Sequence, residues 1–201
     1  MRQATVAVAL ALAAGIAAAQ APSPDLERAK KIANGGCVLC HGADGESSSE
    51  IFPKLAAQNA NYLAKQLANF KSGARKSSTM QPMVKDLTEA DFVSLGAFYA
   101  TKPASAHDVS DADLMAVGRY LYAKGNRYSG VPACAACHGP DGGGTAALPR
   151  LAGQHALYIE NQIKQFNKRE RTNDNEVMHA VAAKMTELEV KAVAEYLAGK
   201  K

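Results

Sequence analysis

The sequence predicts an all-α protein built from two tandem copies of one small helical domain, and three observations predict it. Nowhere does apolar and polar alternation of period two run long enough to make a sheet, whereas apolar residues recur at helical spacing behind capping residues. The chain repeats itself: Phe52-Pro53-Lys54-Leu55-Ala56-Ala57-Gln58 lines up with Leu148-Pro149-Arg150-Leu151-Ala152-Gly153-Gln154. At the same offset Tyr62 meets Tyr158, Gln66 meets Gln162, Phe70 meets Phe166 and Arg75 meets Arg171. After a two-residue insertion in the second copy, Met80 meets Met178, Leu87 meets Met185, Thr88 meets Thr186 and Glu89 meets Glu187. Length agrees, because the 201 residues less a leader suit two domains of about 85 to 95 residues better than one.

The elements follow in order. Met1 to Ala19 carries Arg2, a short apolar run from Val6 and the small residues Ala17-Ala18-Ala19, which predicts a Sec-type secretory signal cleaved before Gln20. The run is short of the ~20 apolar residues of a membrane span, so the mature chain is expected to be exported, with no transmembrane segment. Ser23, Pro24, Asp25 and Glu27 read as the start of a helix with Leu26, Ala29 and Ala33 on its buried stripe, stopped by Gly35-Gly36. Gly42 to Glu50 is a polar loop, Asn59 to Ser72 a helix ended by Gly73, and Thr88 to Ala100 a helix opened by Thr88-x-x-Asp91. Thr101 to Asp111 is a short linker, so the domains, 20–103 and 104–201, are expected to touch. The second copy opens at Ser110-x-x-Asp113, runs through Tyr122, loops to Val131, and continues with helices from Ala156 to Lys168 and from Thr186-x-x-Glu189 to Leu197.

The chemistry-bearing stretch occurs once per copy: Cys37-Val38-Leu39-Cys40-His41 and Cys134-Ala135-Ala136-Cys137-His138. C-x-x-C-H is the signature of c-type haem attachment, in which each thiol adds to a vinyl group and the following imidazole falls under the iron. A redox dithiol would sit at a helix head in a βαβ context, which is missing around both copies. A zinc site shared by the two pairs would leave unexplained why each carries its own histidine. Two covalently bound haem c groups use all four cysteines, leaving none for a disulfide or a nucleophile. The formal charge of +4 includes Arg2 of the leader, and scattered lysines read as solvated surface or as docking sites for an acidic redox partner, not as a nucleic-acid face.

The paired motifs, the F/L-P-K/R-L-x-x-Q segment after each, and Arg171-Thr172-Asn173-Asp174 before the second methionine resemble the dihaem cytochrome c4 family over essentially the whole mature chain. The resemblance implies two class I cytochrome c domains related by a pseudo-twofold, working in the periplasm as an electron carrier and not as an enzyme. It implies redox partners: a membrane quinol-oxidising complex or a periplasmic dehydrogenase on one side and a terminal oxidase or reductase on the other, with peripheral membrane association compatible with that role. The alternative it leaves open is a dihaem subunit of a flavocytochrome c sulfide dehydrogenase-type complex. It also implies that each iron is held by the motif histidine, His41 or His138, and a distal methionine. The candidates are Met80 or Met83 and Met178 or Met185; only Met80 and Met178 share a place in the repeat, and Met83 and Met185 then read as core. Pro53 and Pro149 match a proline whose carbonyl, in class I cytochromes c, accepts a hydrogen bond from the ligand imidazole. Tyr62 and Gln66 are candidates for propionate contact or core packing, His179 is a lesser ligand candidate beside Met178, and His107 and His155 read as solvated.

Overall fold

The computed structural model describes residues 23–107 and 111–200; the expected leader, its cleavage before Gln20 and the expected cap at Ser110 lie outside them. The first half contains α1 (Leu26–Ile32), α2 (Val38–His41), α3 (Ala60–Ser72), α4 (Met80–Val84) and α5 (Glu89–Ala100). The second contains α6 (Ala112–Lys124), α7 (Ala135–His138), α8 (Ala156–Asn167), α9 (Val177–Ala182) and α10 (Glu187–Ala198). Among the described residues the only β pairing is one isolated bridge, Asn126 with Val131, so the all-α expectation holds.

Local chemistry sets the helix ends, with two departures from expectation. Asp25, not Ser23, caps α1: its carboxylate accepts from Arg28 N–H, and Ser23 and Pro24 precede the helix. Gly35-Gly36 does not stop the helix. The chain passes through a widened π turn, Ala33–Cys37, directly into α2. Two adjacent glycines leave that loose turn uncrowded, and such turns gather at functional sites. Gly73 ends α3 in the left-handed region at φ +79°, which glycine adopts without a Cβ penalty. Thr88 with Asp91 and Thr186 with Glu189 form full capping boxes on α5 and α10. Asp111 caps α6, accepting from Leu114 N–H.

The first half packs around Ala29, Ala33, Leu63, Leu95, Phe98 and Tyr99, with a second cluster of Phe70, Val84 and Phe92. The second half has one core, including Tyr122, Ile159, Ile163, Phe166, Val193, Tyr196 and Leu197. Leu26, expected inside, is 47% exposed. The caps also tie the helices together: Arg28 pairs with fully buried Asp91, while Asn126 donates to Glu189 at 2.8 Å from the loop between α6 and α7.

The halves are pressed together by reciprocal hydrogen bonds that obey the repeat. Gln154 accepts from Lys54 N–H and donates to Lys54 C=O, both at 2.9 Å. Its counterpart Gln58 accepts from Arg150 N–H at 2.8 Å and donates to Arg150 C=O at 3.0 Å. Asn59 donates to Gly143 C=O at 3.0 Å, and its counterpart His155 donates from Nε2 to Ser47 C=O at 2.8 Å. Each bond has its mate with the halves exchanged, which is what a pseudo-twofold produces. His155 is thus 2% exposed, and the expectation of a solvated side chain fails because the seam covers it.

Candidate haem sites

Each C-x-x-C-H motif closes a helical turn that brings its histidine inside. His41 ends α2 and His138 ends α7, and both are buried. His41 donates from Nδ1 to Pro53 C=O at 2.8 Å; His138 makes the corresponding, longer contact to Pro149 C=O at 3.4 Å. With Nδ1 committed, the tautomer leaves Nε2 as the lone-pair nitrogen, the atom a metal takes. Burial pushes both imidazoles below the usual histidine range, toward the neutral form that ligates. No disulfide joins any of the four cysteines. Burial pushes Cys37 up and Cys134 up to about 11, the reverse of the lowered thiol of a redox C-x-x-C pair. Among the described residues, no three His, Cys, Asp or Glu side chains cluster as the ligands of one metal ion would.

The methionines differ in setting. Met80 opens α4, its N–H donating to Ser77 Oγ at 3.1 Å, and Met178 lies in the first turn of α9, its N–H donating to Asp174 Oδ2 at 2.6 Å. Neither short helix was anticipated; each is a single turn or little more, too short to show periodicity. Met80 and Cys37 line adjoining clusters that share Leu67 and Leu87, and Met178 and Cys134 pack on the same core. Met185 also packs on that core, as expected. Met83 does not: it is 48% exposed, near Gly36, where an added Cβ would lie 3.2 Å from its terminal methyl. His179 is held by its Nδ1 bond to Phe166 C=O at 3.0 Å. The insertion before Met178 is taken up by Asn175 and Glu176, both in the left-handed region.

The seam supplies a second element of the site that motif reading missed. Arg75 donates to Gln66 and Tyr158 at 2.9 Å and to Gln162 at 2.8 Å. Arg171 donates to Gln162 at 2.8 Å, Tyr62 at 2.9 Å and Gln66 at 3.1 Å. Two buried guanidiniums thus share neutral acceptors, and no carboxylate pairs with either among the described residues. Buried like charges call for anions. The donor set therefore fits a group that brings carboxylates, as haem does with its propionates. Tyr62 and Gln66 belong to this lattice, not to the apolar core. The signal lay in the repeat: polar residues identical in both copies, set on or beside the buried face of the helix, mark shared contacts.

Comparison with known proteins agrees with this geometry. The cytochrome c family model matches residues 26–122 and again 115–201. The chain is 42% identical over 187 residues to cytochrome c4 of Thiocapsa roseopersicina, covering 91% of this chain and 95% of that one. It is 39% identical over 170 residues to the thiosulfate dehydrogenase electron acceptor of Thiomonas intermedia, covering 81% and 77%. The fold is similar to the crystal structure of reduced recombinant cytochrome c4 from Pseudomonas stutzeri, with a TM-score of 0.84, 34% identity, and coverage of 89% of this chain and 100% of that chain. Tandem helical halves, a C-x-x-C-H turn in each and whole-length similarity together place this chain in the dihaem cytochrome c4 family, as an electron carrier with two covalent haem c groups and no enzyme activity of its own.

Proposed function

We propose that Cys37 and Cys40 attach one haem and Cys134 and Cys137 the other, that His41 with Met80 and His138 with Met178 fill the axial positions, and that the protein works in the periplasm after loss of residues 1–19. The observation that carries this is the duplicated geometry of a buried histidine anchored through Nδ1 on a proline carbonyl at the end of each C-x-x-C-H turn. Haem supplies a one-electron ferric–ferrous couple. The chain's part would be to hold each iron with a histidine nitrogen and a methionine sulfur, the soft thioether favouring the ferrous state. Arg75 and Arg171 would hold propionate charge at the seam, between domains that divide at 103/104.

In this reading electrons come from a membrane quinol-oxidising complex or a periplasmic dehydrogenase and leave to a terminal oxidase or reductase. Similarity to the Thiomonas thiosulfate dehydrogenase electron acceptor favours a second reading within the same chemistry: the dedicated acceptor, or a subunit, of a periplasmic sulfur-oxidising dehydrogenase. Purification from the native periplasm tests both, with intact mass reporting leader and haem count and co-purifying proteins reporting the partner. A mature chain beginning near Gln20 with two haems is expected. One haem, none, or a retained leader would overturn the reading, and a flavoprotein or dehydrogenase held in stoichiometric complex would select the second.

A further inference from the structure

The amide between Pro53 and Lys54 is engaged on both sides. Its carbonyl accepts from His41 Nδ1 at 2.8 Å, and its N–H donates to Oε1 of Gln154, in the opposite half, at 2.9 Å. The bond is trans, as all the described peptide bonds are, so donor and acceptor point in opposite directions and the two hydrogen bonds run in series. The same chain recurs with the halves exchanged: His138 Nδ1, Pro149 C=O, Arg150 N–H, Gln58 Oε1. Both glutamines are buried, and each is locked in orientation: Oε1 also accepts from the next backbone N–H, His155 or Asn59, while Nε2 donates across the seam. Neither glutamine lies in the half whose histidine it reaches.

We propose that Gln58 and Gln154 are positioning residues that tune the axial imidazole of the opposite half, each acting through a single peptide group. The idea rests on the histidine ligation proposed above. An N–H that is itself hydrogen-bonded polarises its amide and makes the carbonyl a stronger acceptor, by roughly 10–30% per bond in such chains. A stronger acceptor on Nδ1–H gives the imidazole more imidazolate character, which stabilises the ferric state. Docking of the two halves therefore lowers both reduction potentials, each domain acting on the other's haem. The effect is larger on the N-terminal haem, because its histidine makes the shorter bond.

The test is made on the holoprotein. Gln154→Met keeps the length of the side chain and removes both bonds to Lys54. It raises the potential of the N-terminal haem and speeds exchange of the His41 Nδ1 proton, read by NMR, and leaves the C-terminal haem unchanged. Gln58→Met gives the converse pattern with a smaller shift. Gln154→Glu keeps an acceptor for Lys54 N–H and moves the same potential in the opposite direction, or not at all. Asn59→Ala cuts a seam contact without touching either amide and leaves both histidine protons as they were. In the two methionine variants, equal shifts at both haems, a shift confined to the mutated residue's own half, or no shift would overturn the proposal. The ferric methionine charge-transfer band, followed alongside, reports axial ligation separately: its absence from the unmodified protein counts against the ligand assignment, while proton exchange still reads the relay.

Discussion

Replacing Gly118 by alanine tests the packing that holds the second haem motif in place. Gly118 lies on α6 where it crosses α10, and an added Cβ would fall 1.8 Å from Ala192 O, 2.4 Å from Ala192 C and 2.9 Å from Tyr196 Cβ. Ordinary contact begins near 3.4 Å, so the helices must part by about 1.5 Å or tilt. The obstacle is backbone, which has no rotamer to yield. Parting opens the contacts among Leu121, Tyr122, Val193 and Leu197, and a gap of 0.5–1 Å already forfeits roughly a quarter to a half of the dispersion well. Overpacking ordinarily costs ~1–3 kcal/mol, and this contact belongs at the upper end. The gain in helix propensity from glycine to alanine returns about 1 kcal/mol. A net loss of about 2 kcal/mol corresponds to roughly 8–16 °C in Tm for a domain of this size. Thermal unfolding followed at the Soret band and by circular dichroism measures it. A Gly118→Ala protein that melts at or above the temperature of the unmodified one would refute the reasoning.

Met80→Ala or Met178→Ala is expected to remove half of the ferric methionine charge-transfer absorbance and open one haem to small ligands, whereas Met185→Ala costs ~2–5 kcal/mol of stability alone and half-exposed Met83→Ala less; loss of the band in a Met83 or Met185 variant would reverse the assignment. The seam is expected to weaken in mild acid. Burial above all, with the charges of His107 and Lys54, holds His155 below the usual 6.5, opposed by its bond to Ser47 and the charge of Glu50. An undocked His155 takes up a proton the docked one refuses, so docking stability is full above about 6.5 and falls as the pH drops from there toward the depressed value. His155→Asn, which installs the residue the first copy carries at Asn59, removes that pH dependence of interdomain contact as measured by small-angle scattering; an unchanged profile would show that His155 is not the titrating group.

By itself the sequence determined what depends on residues near one another in the chain. Capping boxes at Thr88 and Thr186, the glycine stop at Gly73 and the C-x-x-C-H turns are each settled within about five residues, so their spacing carries them. The duplication was legible because both copies keep the same residues, and it implied two like folds in contact. Local rules failed where a feature rests on residues far apart in sequence. Gly35-Gly36 reads as a stop, but packing carries the helix through it in a wider turn; Met83 has an apolar side chain, yet its place on α4 leaves it half-exposed. Only the tertiary structure decided that His155 is buried, since Ser47 arrives from 108 positions away, and that Gln154 reaches Lys54 across 100. Gly96 and Gly118 show the same divide: the chain puts a glycine on α5 in one half and on α6 in the other, and each marks a helix crossing that backbone atoms of Ala60 or Ala192 make too close for a methyl group. A hydrogen bond or a steric limit between distant residues has no local pattern, because it forms only when folding has brought both partners to one place.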